Sequence, residues 1–253
     1  MNELPFLHSL QSIGSQYAFY YKKENQQPIY EANCSQFSSA SIIKIPLLLA
    51  WVHLERMGEV NRADECYLDE EHAVRGAGLA YLLRTRHLPY QDVLLMMIAL
   101  SDNLCTNLVI QRIGIQRAQA VFEDVLRLSG TKLQRKMMDF DARAAGLDNW
   151  VSAEDCIHLF ELMNELTPEE RKWVDSMLRV CQDSSLLLRD IPRDSISFWH
   201  KTGSISEVLH DWGYTRDRHI FLLTQRVADE RAVAEIFGQA GRLIMDEPVV
   251  NKE

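Results

Sequence analysis

Three short stretches near the C-terminus decide how this chain of 253 residues is read: Ser195-Ile-Ser-Phe-Trp-His-Lys-Thr202, His210-Asp-Trp-Gly-Tyr-Thr215 and His219-Ile-Phe-Leu-Leu-Thr-Gln225. Each is rich in the β-branched and aromatic residues that fit a pleated sheet, and Thr215-Arg-Asp-Arg-His219 between the last two reads as a tight turn. The other end of the chain has the same character. Tyr17-Ala-Phe-Tyr-Tyr21 is strand-like, Lys22 to Gln27 is polar and turn-like, and Pro28-Ile-Tyr30 supplies a returning strand.

Between these ends the pattern is helical. Ile42–Met57, Tyr90–Leu100, Leu104–Ile113, Ala118–Leu126, Ala153–Asn164 and Pro168–Cys181 are the expected helices. A last helix follows the strands, because Val233, Ile236, Phe237, Ala240 and Ile244 recur on one helical face. Strands at both ends with helices between predict an α+β protein. The terminal strands would share one antiparallel sheet lobe (1–40 plus 190–253), and 41–189 would form an inserted, mainly helical lobe. The sheet takes strands from both ends, so 1–253 is expected to be a single domain. The stretch Thr131–Ser152 shows no periodicity and by its length is a candidate functional loop.

Composition narrows the functional classes. With 27 Lys+Arg against 36 Asp+Glu the net charge is −9, which argues against a general nucleic-acid or anionic-membrane surface. Ile45–His53 and Val93–Leu100 are too short to cross a bilayer, which needs about 20 apolar residues. The first residues carry no basic region of a secretory signal, and the five cysteines (34, 66, 105, 156, 181) form no C-x-x-C pair. Reduced thiols and a cytoplasmic location are therefore expected. The eight histidines include no H-E-x-x-H, and no G-x-G-x-x-G or P-loop occurs, so neither a metal nor a nucleotide cofactor is expected. His210-Asp211 could suggest a Ser–His–Asp triad, but without a G-x-S-x-G elbow a structural role is preferred. Trp150, Trp199 and Trp212 read as core or cleft-wall packing. Nothing in the sequence sets the oligomeric state.

Three motifs carry chemistry. Ser41-Ile-Ile-Lys44 is an S-x-x-K; at the start of a helix that spacing puts hydroxyl and amine on one face. A serine needs a base to become a nucleophile, and a desolvated lysine near another cation can be that base. Alone the motif is weak, since it arises by chance about once in a chain of this size. Pro46 is expected to remove one hydrogen bond and bend the helix. Ser101-Asp102-Asn103 can be read as a helix cap, or as a proton shuttle (Ser101) beside an amide (Asn103) that binds a substrate carbonyl or the lysine. Lys201-Thr202-Gly203 ends a strand. It can be an edge charge, or Lys201 and Thr202 can hold a substrate carboxylate while Gly203 permits close backbone approach. The Ser204 and Ser41 N–H groups would then form an oxyanion hole.

The three motifs in this order arise by chance in well under roughly one in a thousand chains. Together with Phe37-Ser-Ser-Ala-Ser-Ile-Ile-Lys44, Met96-Met-Ile-Ala-Leu-Ser-Asp-Asn-Leu-Cys-Thr-Asn107 and Ile191-Pro192 before His200-Lys-Thr-Gly203, the chain resembles the penicillin-recognising serine hydrolases over nearly its whole length. Class A β-lactamases are the nearest match. The resemblance implies the two-lobed fold drawn above, with the site in the cleft between lobes. It implies Ser41 as acylated nucleophile, Lys44 as its base and Ser101 as shuttle to the leaving nitrogen. Asn103, Lys201 and Thr202 become contacts to a small substrate bearing a carboxylate, a β-lactam or a D-alanyl peptide.

One departure bears on mechanism. Class A enzymes carry a Glu-x-x-Asn on a loop between the second and third motifs, and its Glu activates the hydrolytic water. Lys136–Trp150 contains no Glu. Glu161-Leu-Met-Asn164 falls in a predicted helix, leaving Asp139 and Asp141 as substitutes, or as turn and cap residues. A serine hydrolase competent in acylation and slow in deacylation is expected, with an acyl-binding or sensor module, or a pseudoenzyme used for protein contacts, as alternatives.

Overall fold

The computed structural model describes residues 4–245. After a short helix α1 (Pro5–Ser12) the chain forms strands β1 (Gln16–Lys23), β2 (Ile29–Ala32) and β3 (Gln36–Ser38). A 3-10 turn (Ala40–Ile43) runs into helix α2 (Lys44–Arg56). A small β4–β5 ribbon (Glu65–Tyr67, His87–Pro89) leads to helices α3 (Tyr90–Ala99), α4 (Asn103–Ile113) and α5 (Ile115–Ala120), the last continuing as a π-helical segment, Val121–Val125. Helix α6 (Phe140–Ala144), strand β6 (Trp150–Ser152) and helices α7 (Ala153–Asn164) and α8 (Pro168–Leu178) complete the inserted part. Strands β7 (Trp199–Ile205), β8 (Val208–Tyr214), β9 (Arg218–Gln225) and helix α9 (Glu230–Gly241) close the chain.

The five-stranded sheet has the order β2-β1-β9-β8-β7. β1 pairs antiparallel with β9 from Gln16↔Gln225 to Lys23↔Arg218, so the two ends of the chain are joined, as the strand-like ends of the sequence imply. Alternate residues face opposite sides. Phe19, Leu209, Ile220 and Leu222 pack under α1 and α9, whereas Tyr20, Trp212, Phe221 and Leu223 join the core of the helical lobe. A sheet buried on both faces needs no polar alternation, which is why Ile220–Leu223 is a continuous apolar run. Trp212 and His219 both stack on Phe160 of α7 at 4.4 Å, tying the lobes together. In α9, Val233, Ile236, Phe237 and Ala240 are buried. At about 1.5–3 kcal/mol for each large side chain, this face fastens the C-terminal helix to the sheet.

Three sequence expectations change. Pro46 does not bend a helix: it lies in the first turn of α2, where the missing N–H costs little, and the chain ahead of it is tightened into the 3-10 turn. The aperiodic stretch Thr131–Ser152 contains α6 and β6, elements too short for periodicity to reveal; β6 pairs with β3. The strand carrying the third motif begins at Trp199 rather than Ser195, because Ser195 N–H closes a turn onto Pro192 and Asp194 has a positive φ of 62°. Among the described residues no helix is long and apolar enough to cross a membrane.

Candidate functional site

Ser41 sits in the 3-10 turn and Lys44 at the first position of α2. The Lys44 amine is wholly buried and meets four oxygens: Ser41 Oγ at 3.1 Å, Ser101 O at 2.6 Å, Ser101 Oγ at 3.0 Å and Asn103 Oδ1 at 3.2 Å. Two of these, the Ser101 carbonyl and the Asn103 amide oxygen, can only accept. They match the two N–H bonds of a neutral amine and leave its lone pair for a hydroxyl. Burial, and next the charge of Lys201, push the Lys44 amine well below the ordinary lysine range, which favours that neutral form.

Backbone strain aims these groups. Ala40 has φ +43° and Ser101 φ +54°, left-handed conformations that L-residues avoid. At Ser101 the turn delivers both its carbonyl and its hydroxyl to one amine. Asp102 holds that turn. Its Oδ1 accepts from Cys105 N–H at 3.0 Å, capping α4, and its Oδ2 accepts from Leu79 N–H at 2.7 Å and Ala80 N–H at 2.8 Å. A Cβ on Gly78, whose φ is +82°, would lie 2.1 Å from that oxygen, so only glycine fits there. The capping reading of the second motif is therefore true of Asp102, while Ser101 and Asn103 turn to the lysine.

β7 runs beside the Ser41 turn. A Cβ on Gly203 would come within 3.0 Å of Ser41 N, so this glycine serves the approach of the strand to the backbone of Ser41. Lys201 is buried and donates to its neighbour's carbonyl, Thr202 O, at 2.8 Å; burial pushes its amine down against the charges of Cys181, Asp183 and Asp211. Two cavities meet at Ser41. One, about 510 Å³, is bordered by Ser101, Lys201, Thr202, Ser204 and Cys181. The other, about 360 Å³, is bordered by Asn103, Met137, Met138, Phe140, Arg135 and Arg143.

The loop carrying Met137 and Met138 is clamped at both ends. Arg135 pairs with Asp148 at 2.6 Å, and Asp148 also accepts from Ser38 Oγ at 2.8 Å. Asn107 grips Met137 with both ends of its amide, accepting from its N–H at 2.7 Å and donating to its carbonyl at 3.2 Å. Asp139 caps α6, its Oδ1 accepting from Ala142 N–H at 2.9 Å, and both Asp139 and Asp141 are exposed. Neither borders the two cavities at Ser41. These clamps join residues too far apart in sequence for any spacing to announce them.

The His210-Asp211 pair divides. His210 Nε2 donates to Ser38 O at 2.8 Å and Nδ1 accepts from Thr224 N–H at 3.1 Å, while burial pushes the ring down to about 4. His210 is thus a neutral strut between strands. Asp211 pairs instead with His200, at 3.0 Å.

A family model described as the Beta-lactamase enzyme family matches residues 7–247. The chain belongs to that family. Its fold is likewise that of a β-lactamase from Sphaerobacter thermophilus: 23% identity, covering 94% of this chain and 93% of that one, with a TM-score of 0.83. It is also similar to the structure of PBP-A (20% identity, 94% and 93% covered, TM-score 0.81) and to an ancestral class A β-lactamase, GNCA (18%, 95% and 98%, 0.81). A variant of PBP-A is known as an acyl-enzyme complex with penicillin G. No curated protein sequence matches this member of the family.

Proposed function

We propose that this β-lactamase-family chain is a serine hydrolase acylated at Ser41 by small carboxylate-bearing amides, β-lactams or D-alanyl peptides, or by esters, and that it releases the acyl group slowly. The reading rests above all on the Lys44 amine, buried and met by two obligate acceptors with Ser41 Oγ at 3.1 Å. Lys44 takes the Ser41 proton as Oγ attacks the carbonyl carbon. The Ser41 and Ser204 N–H groups stabilise the oxyanion. Ser101, within 3.0 Å of the lysine, hands the proton on to the leaving nitrogen and the C–N bond breaks. Asn103, Thr202 and Lys201 hold the substrate, with Lys201 facing its carboxylate.

Deacylation needs a base for water. The loop side of the cleft offers Met137, Met138 and Phe140 with two arginines, and this lining supports a long-lived acyl-enzyme. It equally favours a second reading, a penicillin-binding or sensor-type module that takes an acyl group without efficient turnover.

Intact-mass spectrometry after mixing with a fluorescent penicillin tests both. A persistent adduct mapped to Ser41 is expected. Absence of both adduct and hydrolysis refutes the proposal. Rapid turnover would refute slow release, and Asp139→Asn and Asp141→Asn, exposed and outside both cavities, should then leave that turnover unchanged.

A further inference from the structure

A cysteine, a histidine and an aspartate stand in a row behind the cleft, and acylation at Ser41 uses none of them as proposed above. In the β7–β8 register His200 lies opposite Gly213 and Thr202 opposite Asp211, so His200 and Asp211 are diagonal neighbours on one face. His200 Nδ1 meets Asp211 Oδ1 at 3.0 Å with both residues buried, and Asp211 Oδ2 accepts from Leu187 N–H at 3.1 Å. With Nδ1 taken, Nε2 is the nitrogen left for the Cys181 thiol, which borders the same cavity as this ring.

Cys181 is half-buried, in the loop after α8. It borders the Ser41 cleft on one side and a separate cavity of about 660 Å³ on the other, shared with His200 and Phe198. Arg179, Arg189 and Arg193 line that second cavity against Asp194 as its one acid. Arg189 lies within 4 Å of Asp190 and Glu235, whereas among the described residues Arg179 and Arg193 have no ion-pair partner. The mouth is therefore positive.

We propose that Cys181 is a nucleophilic thiol that exchanges with small anionic disulfides entering through this arginine-lined cavity. The Cys181 thiolate attacks one sulfur of the disulfide, the old S–S bond breaks, and a Cys181 mixed disulfide forms. The other half leaves as a thiolate and is protonated by solvent. The incoming disulfide is itself the oxidant, so no further reagent is needed.

The local chemistry supports this role. Burial opposes the Cys181 thiolate, but the neighbouring His200 and the charge of Lys201 outweigh it and bring the thiol down to about 7. Burial likewise opposes charge on His200, yet Asp211 and Cys181 raise the ring to about 10. At neutral pH a larger share of Cys181 is therefore thiolate than of an ordinary thiol of pKa ~8.5. Lower basicity gives back part of that gain in nucleophilicity, and the arginines add attraction for an anion. Cys66, Cys105 and Cys156 are buried and their thiols are pushed up by that burial. Cys34 is the comparable half-buried thiol; it donates to Gln36 O at 3.2 Å and accepts from Gln225 Nε2 at 3.5 Å.

The test uses the full chain, native and reduced, with DTNB, a dianionic aromatic disulfide. Release of the chromophore is followed at neutral pH, and the adduct is mapped by peptide mass spectrometry. The first equivalent should map to Cys181 and form several-fold faster than any adduct at Cys34. The ratio of DTNB to cystamine rates should be several-fold larger at Cys181 than for 2-mercaptoethanol, a neutral thiol that corrects for the poorer leaving group of cationic cystamine, and Cys181→Ser should lose the fast phase. His200→Gln should slow it several-fold; the wild-type mapping stands even if this variant does not fold. First labelling at Cys34, or no labelling before denaturation, overturns the proposal. A DTNB-to-cystamine rate ratio no larger than that of 2-mercaptoethanol overturns the preference for anions.

Discussion

Asp102→Asn is the sharpest test of how the site is held. The carboxylate is buried and accepts three backbone N–H groups on its two oxygens. An amide keeps one acceptor oxygen and replaces the other by a donor. If the oxygen stays with Leu79 and Ala80, the new NH2 faces Cys105 N–H. The α4 cap is then lost, about 1 kcal/mol, and a buried donor is left unpaired, about 1–3 kcal/mol. The two surviving bonds fall from charge-assisted to neutral, about 1 kcal/mol more between them. The sum is about 3–5 kcal/mol, or on the order of 10 °C in Tm for a chain of this size. Urea and thermal unfolding read this directly. A second readout separates electrostatics from simple damage. The negative charge of Asp102 raises the Lys44 amine, so its removal lowers that amine further. In the proposed mechanism acylation runs through the neutral amine, so the variant's pH–rate rise should move to lower pH even as stability falls. Stability within about 1 kcal/mol of the parent, or a rise that stays put or moves up, would refute the reasoning.

Lys44→Met should reduce the acylation rate about a hundred- to ten-thousand-fold, the usual range for losing a general base, as followed by stopped-flow fluorescence. In the parent, acylation should rise with pH through a limb well below the lysine value of 10.5; a limb at the ordinary value would show that the amine is not desolvated. Met137→Glu, which adds a carboxylate to the clamped loop, should shorten the acyl-enzyme lifetime at least about tenfold; an unchanged lifetime in pulse-chase labelling counts against the loop as the missing base's position. His210 is buried neutral, with its folded pKa pushed from 6.5 to about 4. Between these values the unfolded chain binds a proton that the folded one does not, so stability is lost as pH falls, by up to about 3 kcal/mol. His210→Gln should flatten part of that acid limb in urea titrations, His219, also pushed to about 4, supplying another part.

Much of the fold was legible because it rests on local pattern. The spacing of apolar residues gave α7 its limits and α3 and α4 theirs to within a residue, and the strand formers of His219–Gln225 marked β9. The three motifs were legible because acylation chemistry needs its hydroxyls and amines at fixed spacings, and the site geometry brings Ser41, Lys44, Ser101 and Asn103 around one nitrogen. The short elements α6 and β6 were not legible, since five and three residues complete no period. His210-Asp211 looked like a unit because the residues are adjacent, but adjacent residues of a strand point to opposite faces. His210 therefore braces Ser38, and Asp211 reaches His200.

The sequence by itself determined the element types, the union of the chain's two ends in one sheet, and which residue types bear the chemistry. These follow from periodicity and from side-chain identity, both properties of the chain before it folds. Only the tertiary structure decided the states of those groups. Whether Lys44 is a charged surface amine or a desolvated base depends on Ser101, Asn103 and Lys201, brought to it from 57 to 157 residues away. The apolar lining opposite Ser41 likewise depends on Asn107 and Asp148 gripping a distant loop, and the Cys181–His200–Asp211 row on the register of two strands. Desolvation and charge coupling act through space, so no reading along the chain could supply them.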